Sequence, residues 1–191
     1  MDICVFGSAS DSIEKKYIEA GELLGERLGE RGHNLVFGGG SAGLMGAVAR
    51  GIRKGKGKIL GVIPKFFEEK GYESIDYTCD KLIRTQTMAE RKATMSGACD
   101  GYIVTPGGIG TFEEFFEVLT LKQLGVHKKP IVIFDVDGYY EDINRAFLSA
   151  MEKSFVRENC AKLYKTFSKV EEVIDYLENY SKEKQEWSLL K

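Results

Sequence analysis

A glycine-rich run that leads into two carboxylates is the part of this 191-residue chain best suited to chemistry. The run spans residues 106–114 and reads Pro-Gly-Gly-Ile-Gly-Thr-Phe-Glu-Glu. Glycines permit positive φ and a close approach of ligand to backbone, and the first turn of a helix offers N–H groups that attract anions. We therefore expect an anion such as a phosphate to bind here. The expected contacts are Gly107, Gly108, Ile109, Gly110 and Thr111.

The two glutamates at the end of the run, Glu113 and Glu114, place acids beside whatever the anion anchors. A carboxylate near a ribosyl centre can stabilise the positive charge that develops when a glycosidic bond breaks. A structural role is the alternative, because Thr111 and Glu114 have the spacing of a capping box, in which the glutamate bonds back to the start of its own helix. The residues alone leave both interpretations open.

A second charged cluster falls on a predicted helix at residues 88–98, where Met88 is followed by Arg91 and Lys92. The guanidinium of Arg91 is a planar fork of donors that suits a phosphate or a carboxylate, whereas Lys92 would act as a point charge. A solvated helix face is the alternative for both cations.

Two more loops rich in glycine and serine follow predicted strands, at residues 7–10 and 40–43. Parallel strands end at one edge of a sheet, and open α/β sheets bind their ligands at that edge. We therefore expect these loops to meet the segment 107–111 around one ligand. Ser8 and Gly40 are the contacts expected from the two additional loops.

The second of these loops also completes a G-x-G-x-x-G pattern at residues 38–43, which is a fingerprint of dinucleotide binding. No Asp or Glu lies between Gly43 and Ile63 to hold the ribose hydroxyls, so the sequence does not support an NAD oxidoreductase. A P-loop is not supported either, because neither Gly-Lys pair within residues 55–58 is followed by Ser or Thr.

Composition narrows the class of protein and of ligand. A chain of 191 residues with 43% hydrophobic content should form one domain over residues 1–191. Its net charge of −2 favours a small-molecule partner, with no nucleic acid and no membrane. Four scattered cysteines and a start without a signal-peptide pattern indicate a cytoplasmic protein with reduced thiols. Two histidines do not favour a histidine-rich metal site, and carboxylate-bound Mg²⁺ stays open.

Hydrophobic patterning predicts an α/β fold with a doubly wound parallel sheet and helices on both faces. Continuous apolar runs, typical of strands covered on both sides, occur at residues 3–6, 35–37, 59–63, 102–105 and 131–134, with shorter strands expected at 81–84 and 164–167. Besides the helix at 88–98, helices are expected from Asp11-Ser12 to Gly32, over 44–53 and 111–124, and after a capping box at 168–171. In the tail, Trp187, Leu189 and Leu190 would either fray or dock on a partner.

Together these motifs resemble those of the Lonely Guy (LOG) family, whose members are often labelled lysine decarboxylase-like. The family pattern P-G-G-x-G-T-x-x-E is matched at every fixed position, by Pro106, Gly107, Gly108, Gly110, Thr111 and Glu114. The family element M-x-x-R-K is matched by Met88, Arg91 and Lys92. Ala89 and Leu121 depart from the His and Trp that many relatives carry, which bears on the choice of base.

The resemblance implies a Rossmann-like homodimer with its active site near the subunit interface. The implied reaction is hydrolysis of the N-glycosidic bond of a nucleoside 5′-monophosphate, AMP or an N6-modified AMP of the cytokinin type, with no cofactor. Glu114 and Arg91 would be the catalytic pair, Gly108, Gly110 and Thr111 would hold the phosphate, and Glu113 would lie near the ribose. A nucleotide-binding or carrier protein that does not cleave its ligand is the alternative, and lysine decarboxylation rests on the family label.

Overall fold

A computed structural model describes residues 1–180 and contains one seven-stranded sheet in which every strand pairs in parallel. The strands are β1 (Asp2–Phe6), β2 (Asn34–Phe37), β3 (Ile59–Pro64), β4 (Lys81–Thr85), β5 (Gly101–Val104), β6 (Ile131–Phe134) and β7 (Lys165–Phe167). Their order across the sheet is β4-β3-β2-β1-β5-β6-β7. The chain therefore reverses direction across the sheet between β1 and β5, and all predicted strands are confirmed within about a residue of their predicted ends.

Helices cover both faces of this sheet, as predicted. They are α1 (Lys15–Glu30), α2 (Gly43–Lys54), α3 (Lys65–Lys70), α4 (Met88–Ala98), α5 (Ile109–Gln123), α6 (Glu141–Glu152) and α7 (Val170–Asn179), with a 3-10 turn at Glu158–Lys162. Hydrophobic patterning did not anticipate α3, α6 or the 3-10 turn. Among residues 1–180, no helix combines the length and the apolar character needed to cross a membrane.

Two hydrophobic cores, one on each face of the sheet, hold the helices in place. Leu24 of α1, Val48 of α2 and Ile174 of α7 belong to the core on one face. Met95 of α4 and Phe115 of α5 belong to the core on the other face. Because the strands contribute buried side chains to both cores, their sequences are continuously apolar, and the helix starts are held against the carboxyl edge of the sheet.

Two predicted helix starts are wrong in detail. The first helix begins at Lys15 rather than at Asp11-Ser12, and the Asp11 carboxylate instead accepts a 2.7 Å hydrogen bond from the N–H of Gly43, the first residue of α2. The last helix begins at Val170 after Lys169, without a side-chain cap, so the predicted capping box at residues 168–171 is absent. Trp187, Leu189 and Leu190 lie outside the described residues.

The start of α5 also differs from the prediction, and this difference matters for the site. The helix begins at Ile109, two residues before the predicted Thr111, with Gly108 as its N-cap and no side-chain cap. Thr111 and Glu114 therefore occupy the first and second turns and form no capping box, so Glu114 is available for another contact.

Candidate active site

A cavity of about 320 Å³ opens at the carboxyl edge of the sheet, beside the point where the strand order reverses between β1 and β5. Its walls include residues 7–10, Gly38 and Gly40 after β2, and Gly108, Gly110 and Thr111 at the start of α5. The prediction that the three loops meet is thus confirmed. Open α/β sheets bind ligands at such a reversal because the loops diverge there and leave a crevice.

Arg91 projects from α4 into the floor of the cavity and is only 8% exposed. Its Nε donates a 3.1 Å hydrogen bond to the backbone oxygen of Val62, and its guanidinium lies 5.6 Å from the ring centre of Phe67. A Cβ placed on Gly38 would lie 1.8 Å from Nη2, so glycine at this position leaves the space that the guanidinium fills. The cation is therefore held in a fixed place beneath the cavity.

Glu114 faces Arg91 from α5, with its Oε1 3.8 Å from Arg91 Nη1. The Glu114 side chain is 13% exposed, and it lines the cavity. Burial is the main reason that the pKa of Glu114 is raised to about 7, while Arg91 pulls the pKa down and Glu113 and Glu73 push it up. A carboxyl whose pKa lies near neutral pH is suited to exchanging protons during a reaction.

The start of α5 presents open backbone to the cavity. The N–H groups of residues 109–111 precede the first hydrogen bond of the helix, which runs from Phe112 N–H to the Gly108 oxygen at 3.0 Å. A Cβ on Gly108 or Gly110 would face open space, since no atom of residues 1–180 beyond the adjoining backbone lies within 4 Å. Gly108 has φ −95°, so close approach rather than positive φ explains glycine there. The arrangement provides donors and space for an anion.

Pro106, Gly107 and Thr111 fix the shape of this loop from behind. The hydroxyl of Tyr139 donates a 2.5 Å hydrogen bond to the Gly107 oxygen, and the N–H of Ser8 donates one of 3.0 Å to the Pro106 oxygen. Thr111 is 4% exposed, and its Oγ1 would lie 2.1 Å from a Cβ on Gly107. Gly107 thus allows Thr111 to pack over the loop and does not itself line the cavity.

Lys92 and Glu113 form an ion pair at the rim. Lys92 Nζ contacts the Glu113 carboxylate and lies 2.8 Å from Glu117 Oε2. Glu113 lines the cavity together with Met88, whereas Lys92 does not. Ile109 is 87% exposed and does not line the cavity. Of the predicted site residues, Lys92, Gly107 and Ile109 therefore stand outside the wall of the cavity, and all the others lie in it.

Comparison with known proteins supports a relationship through both sequence and fold. Residues 45–177 match the family model described as possible lysine decarboxylase. Two cytokinin riboside 5′-monophosphate phosphoribohydrolases of Arabidopsis thaliana are 36% identical over 93% of this chain and 83% of the relative, and 38% identical over 95% and 82%. A probable enzyme of the same name from Oryza sativa subsp. japonica is 37% identical over 94% and 72%. The chain belongs to the LOG family.

Solved structures of more distantly related proteins have a similar fold. The molybdenum cofactor binding protein from Rippkaea orientalis is 19% identical, with a TM-score of 0.71 over 94% of this chain and 96% of that one. The molybdenum cofactor carrier protein of Chlamydomonas reinhardtii is 21% identical, with a TM-score of 0.71 over 95% and 98%. At these identities the likeness concerns the fold, which is the predicted Rossmann-like α/β sheet.

Beside the two LOG-family motifs, the cavity wall contains a third carboxylate that the sequence analysis missed. Glu73 lies on the loop between α3 and β4 and is half-buried. Burial raises the pKa of its carboxyl, and the nearby charge of Arg91 opposes that rise. No motif marks Glu73, and its place depends on how its loop folds back, so sequence patterning gave no signal for it.

Proposed function

We propose that this chain hydrolyses the N-glycosidic bond of a nucleoside 5′-monophosphate, AMP or an N6-modified AMP, to the free base and ribose 5-phosphate. The observation that carries the proposal is the buried pair of Glu114 and Arg91, placed beside an uncapped helix start. The named relatives carry the same activity in their names and align over more than nine-tenths of the chain, which supports the assignment.

The phosphate of the substrate would bind at the start of α5. Backbone N–H groups of residues 109–111 and the positive end of the helix dipole suit a dianion. Gly108 and Gly110 leave the space for its oxygens, while Ser8 and Gly40 approach from the other loops. This placement brings the ribose into the cavity, where Met88 and Glu113 would contact it.

Glu114 would act on the ribose. As the bond to the base lengthens, the sugar gains oxocarbenium character, and the carboxylate of Glu114 stabilises this charge and orients the attacking water. Arg91 would keep Glu114 in place through their 3.8 Å ion pair and would favour its ionised form. Lys92 would steady Glu113 at the rim through the ion pair between them.

Release of free adenine from AMP, followed by chromatography, tests the proposal. Glu114→Gln and Arg91→Ala should each lower kcat/KM by on the order of 10²-fold or more, because the first removes the group that acts on the reacting sugar and the second removes the cation that holds this group in place. Glu19→Gln and Arg145→Ala, at exposed positions on α1 and α6, are the matched controls and should leave turnover unchanged. Equal turnover by Glu114→Gln and the wild-type chain would refute the catalytic assignment.

A nucleotide-binding or carrier protein would behave differently in the same experiment. A pure binder would gain thermal stability with AMP yet release no adenine. Base release by the wild-type chain therefore separates hydrolysis from simple binding.

We further propose that a single domain, residues 1–191, carries this activity in the cytoplasm as a homodimer whose subunit interface lies near the cavity. The partner would be the nucleotide, with no nucleic acid and no membrane involved. Exposed apolar side chains of α5, among them Ile109 at 87% and Phe116 at 41%, would be covered by the second subunit. Sedimentation velocity should then give the mass of two chains, and a single-chain mass would contradict the dimer.

A further inference from the structure

Within residues 1–180, three carboxylates line the cavity, and the proposed hydrolysis uses only two of them. Glu114 acts on the sugar and Glu113 lies at the rim, whereas Glu73 has no part in those steps. Cleavage of a nucleotide also requires that the departing base not leave as an anion, so a proton must reach one of its ring nitrogens. The position of Glu73 bears on this missing step.

The loop that carries Glu73 is tied to the end of β2. Ser41 N–H donates to the Ser74 oxygen at 2.7 Å, and Asp76 N–H donates to the Gly39 oxygen at 2.8 Å. Gly40 and Ile75 form an antiparallel bridge between the same two segments. The segment 73–76 therefore runs alongside residues 39–41 and forms part of the wall of the cavity.

An ion pair between the buried Asp76 carboxylate and Arg53 also holds this loop in place. Asp76 is 7% exposed and pairs with Arg53 of α2, and its Oδ1 accepts a 3.0 Å hydrogen bond from the N–H of Thr78. The Glu73 carboxylate consequently has a defined position over Gly40, since a Cβ on Gly40 would lie 3.2 Å from Glu73 Oε2. Gly40 thus leaves the Glu73 carboxylate in contact with the cavity.

Glu73 and Glu114 reach the cavity from elements that follow different strands. Glu114 comes from α5, which follows β5, and Glu73 lies over the end of β2, with β1 between these two strands. The guanidinium of Arg91 meets both groups of elements. Its Nη1 faces Glu114 of α5, and its Nη2 lies against Gly38, which follows β2. A nucleotide anchored by its phosphate at the start of α5 would place its ribose near Glu114 and extend its base toward Glu73.

We propose, on the basis of the hydrolysis proposed above, that Glu73 is the catalytic acid that protonates the departing base. The Glu73 carboxyl gives its proton to a ring nitrogen of the purine, and the electron pair of the breaking bond to the anomeric carbon passes to the base. Water adds its oxygen to the anomeric carbon. One of its protons goes to the Glu114 carboxylate, and the other stays on the new hydroxyl group. Glu114 then loses its proton to solvent and Glu73 takes one up, which returns both side chains to their starting states.

Burial acts on the Glu73 carboxyl in the direction that proton donation requires. Burial raises the pKa of the Glu73 carboxyl, which keeps it protonated to higher pH than an exposed glutamate. Arg91 of α4 is the charge that opposes the rise in the pKa of Glu73, while Arg91, Lys92, Glu113 and Glu73 all act on the pKa of Glu114. Burial also raises the pKa of Glu114, so the assignment of roles rests on position, with Glu73 over Gly40 and Glu114 at the start of α5.

A comparison of two substrates in the Glu73→Gln variant tests the proposal. AMP needs a protonated leaving group, whereas the ribofuranoside 5-phosphate of para-nitrophenol releases a stable phenolate without one. Glu73→Gln should lower kcat for AMP by about 10²-fold and change kcat for the nitrophenyl compound by less than about threefold. Glu69→Gln, on the exposed side of α3, is the control and should match the wild-type chain on both substrates.

The outcomes discriminate between the possible roles. An equal loss on both substrates, a rise in KM for AMP with kcat unchanged, or full AMP turnover by Glu73→Gln would each overturn proton donation by Glu73. Thermal unfolding of Glu73→Gln close to that of Glu69→Gln would show that the fold is retained. Failure of the hydrolysis itself is seen separately, because the wild-type chain would then release neither adenine nor para-nitrophenol, and proton donation would fall with it.

Discussion

The helix starts of α2 and α5 follow similar glycine-rich loops at the same edge of the sheet, yet the chain uses them in opposite ways. At α2 the N–H of Gly43 is bonded to the Asp11 carboxylate, and Gly43 has φ +60° against the backbone of residues 9–10. At α5 no side chain caps the helix, and Gly108 and Gly110 face open space. The first start is filled by the protein itself, and the second is left for a ligand.

This contrast explains why the G-x-G-x-x-G pattern of residues 38–43 is misleading. Its glycines admit protein atoms, the guanidinium of Arg91 at Gly38 and the loop backbone at Gly43, so the pattern serves packing. Each helix start has an acid nearby, but Asp11 bonds to the first N–H of α2, whereas Glu114 lies in the second turn of α5, buried and with a raised pKa. The difference between a structural and a functional glycine loop therefore lies in what fills the space beside it.

The largest effect on stability is expected from a substitution at the start of α2, where protein atoms fill the space. Gly43→Ala would place a Cβ 2.6 Å from the backbone carbon of Ala9 in a left-handed conformation that alanine avoids. We expect the free energy of unfolding to fall by roughly 3 kcal/mol, from backbone strain and overpacking together. Urea denaturation measures this loss, and a change smaller than about 1 kcal/mol would mean that the α2 start is as open as the α5 start.

Replacing Glu114, which lies one turn after the open start of α5, by a neutral glutamine should raise the free energy of unfolding in a pH-dependent way. The pKa of Glu114 is raised from 4.5 to about 7 in the folded chain, so the folded state binds the proton more tightly than the unfolded state. Stability from this group is therefore full below pH 4.5 and is lost as the pH rises through about 7. Glu114→Gln should match the wild-type chain at pH 4.5 and exceed it by roughly 1–3 kcal/mol at pH 8. Parallel stability profiles for the two chains would contradict a buried Glu114 with a raised pKa.

The smallest effect is expected from alanine at the open start. Gly110→Ala adds a methyl group that meets no protein atom within 4 Å, so the fold should keep or slightly gain stability from the better helix propensity of alanine. The methyl group would crowd the phosphate, and KM for AMP should rise by about tenfold, equivalent to about 1.4 kcal/mol of lost binding. Unchanged KM would place the phosphate elsewhere.

Sequence patterning predicted the parts of this molecule whose signals are local. Buried parallel strands are continuously apolar, and the stripe on α1 and the helix α4 have regular spacing, so the sheet and most helices were predicted. The helix α6 was missed although Ile143, Phe147 and Ala150 form an apolar face, because its turn-rich start hid the pattern.

Long-range contacts were beyond the reach of such patterning. Asp11 was predicted to begin its own helix, yet it caps a helix that starts 32 residues later. Glu73 enters the cavity because its loop pairs with residues 39–41, and no local spacing encodes that pairing. The contact between Glu114 and Arg91 likewise joins α5 to α4, and the resemblance to the LOG family supplied it before the structure did.

The central claim is that the open start of α5 holds the phosphate and brings the sugar to Glu114. A crystal structure of the Glu114→Gln variant with AMP tests it most directly, since the substrate should persist uncleaved. The account predicts phosphate oxygens within hydrogen-bond distance of the N–H groups of residues 109–111 and the anomeric carbon beside the side chain at position 114. A phosphate bound at the start of α2, or a sugar directed away from position 114, would contradict it.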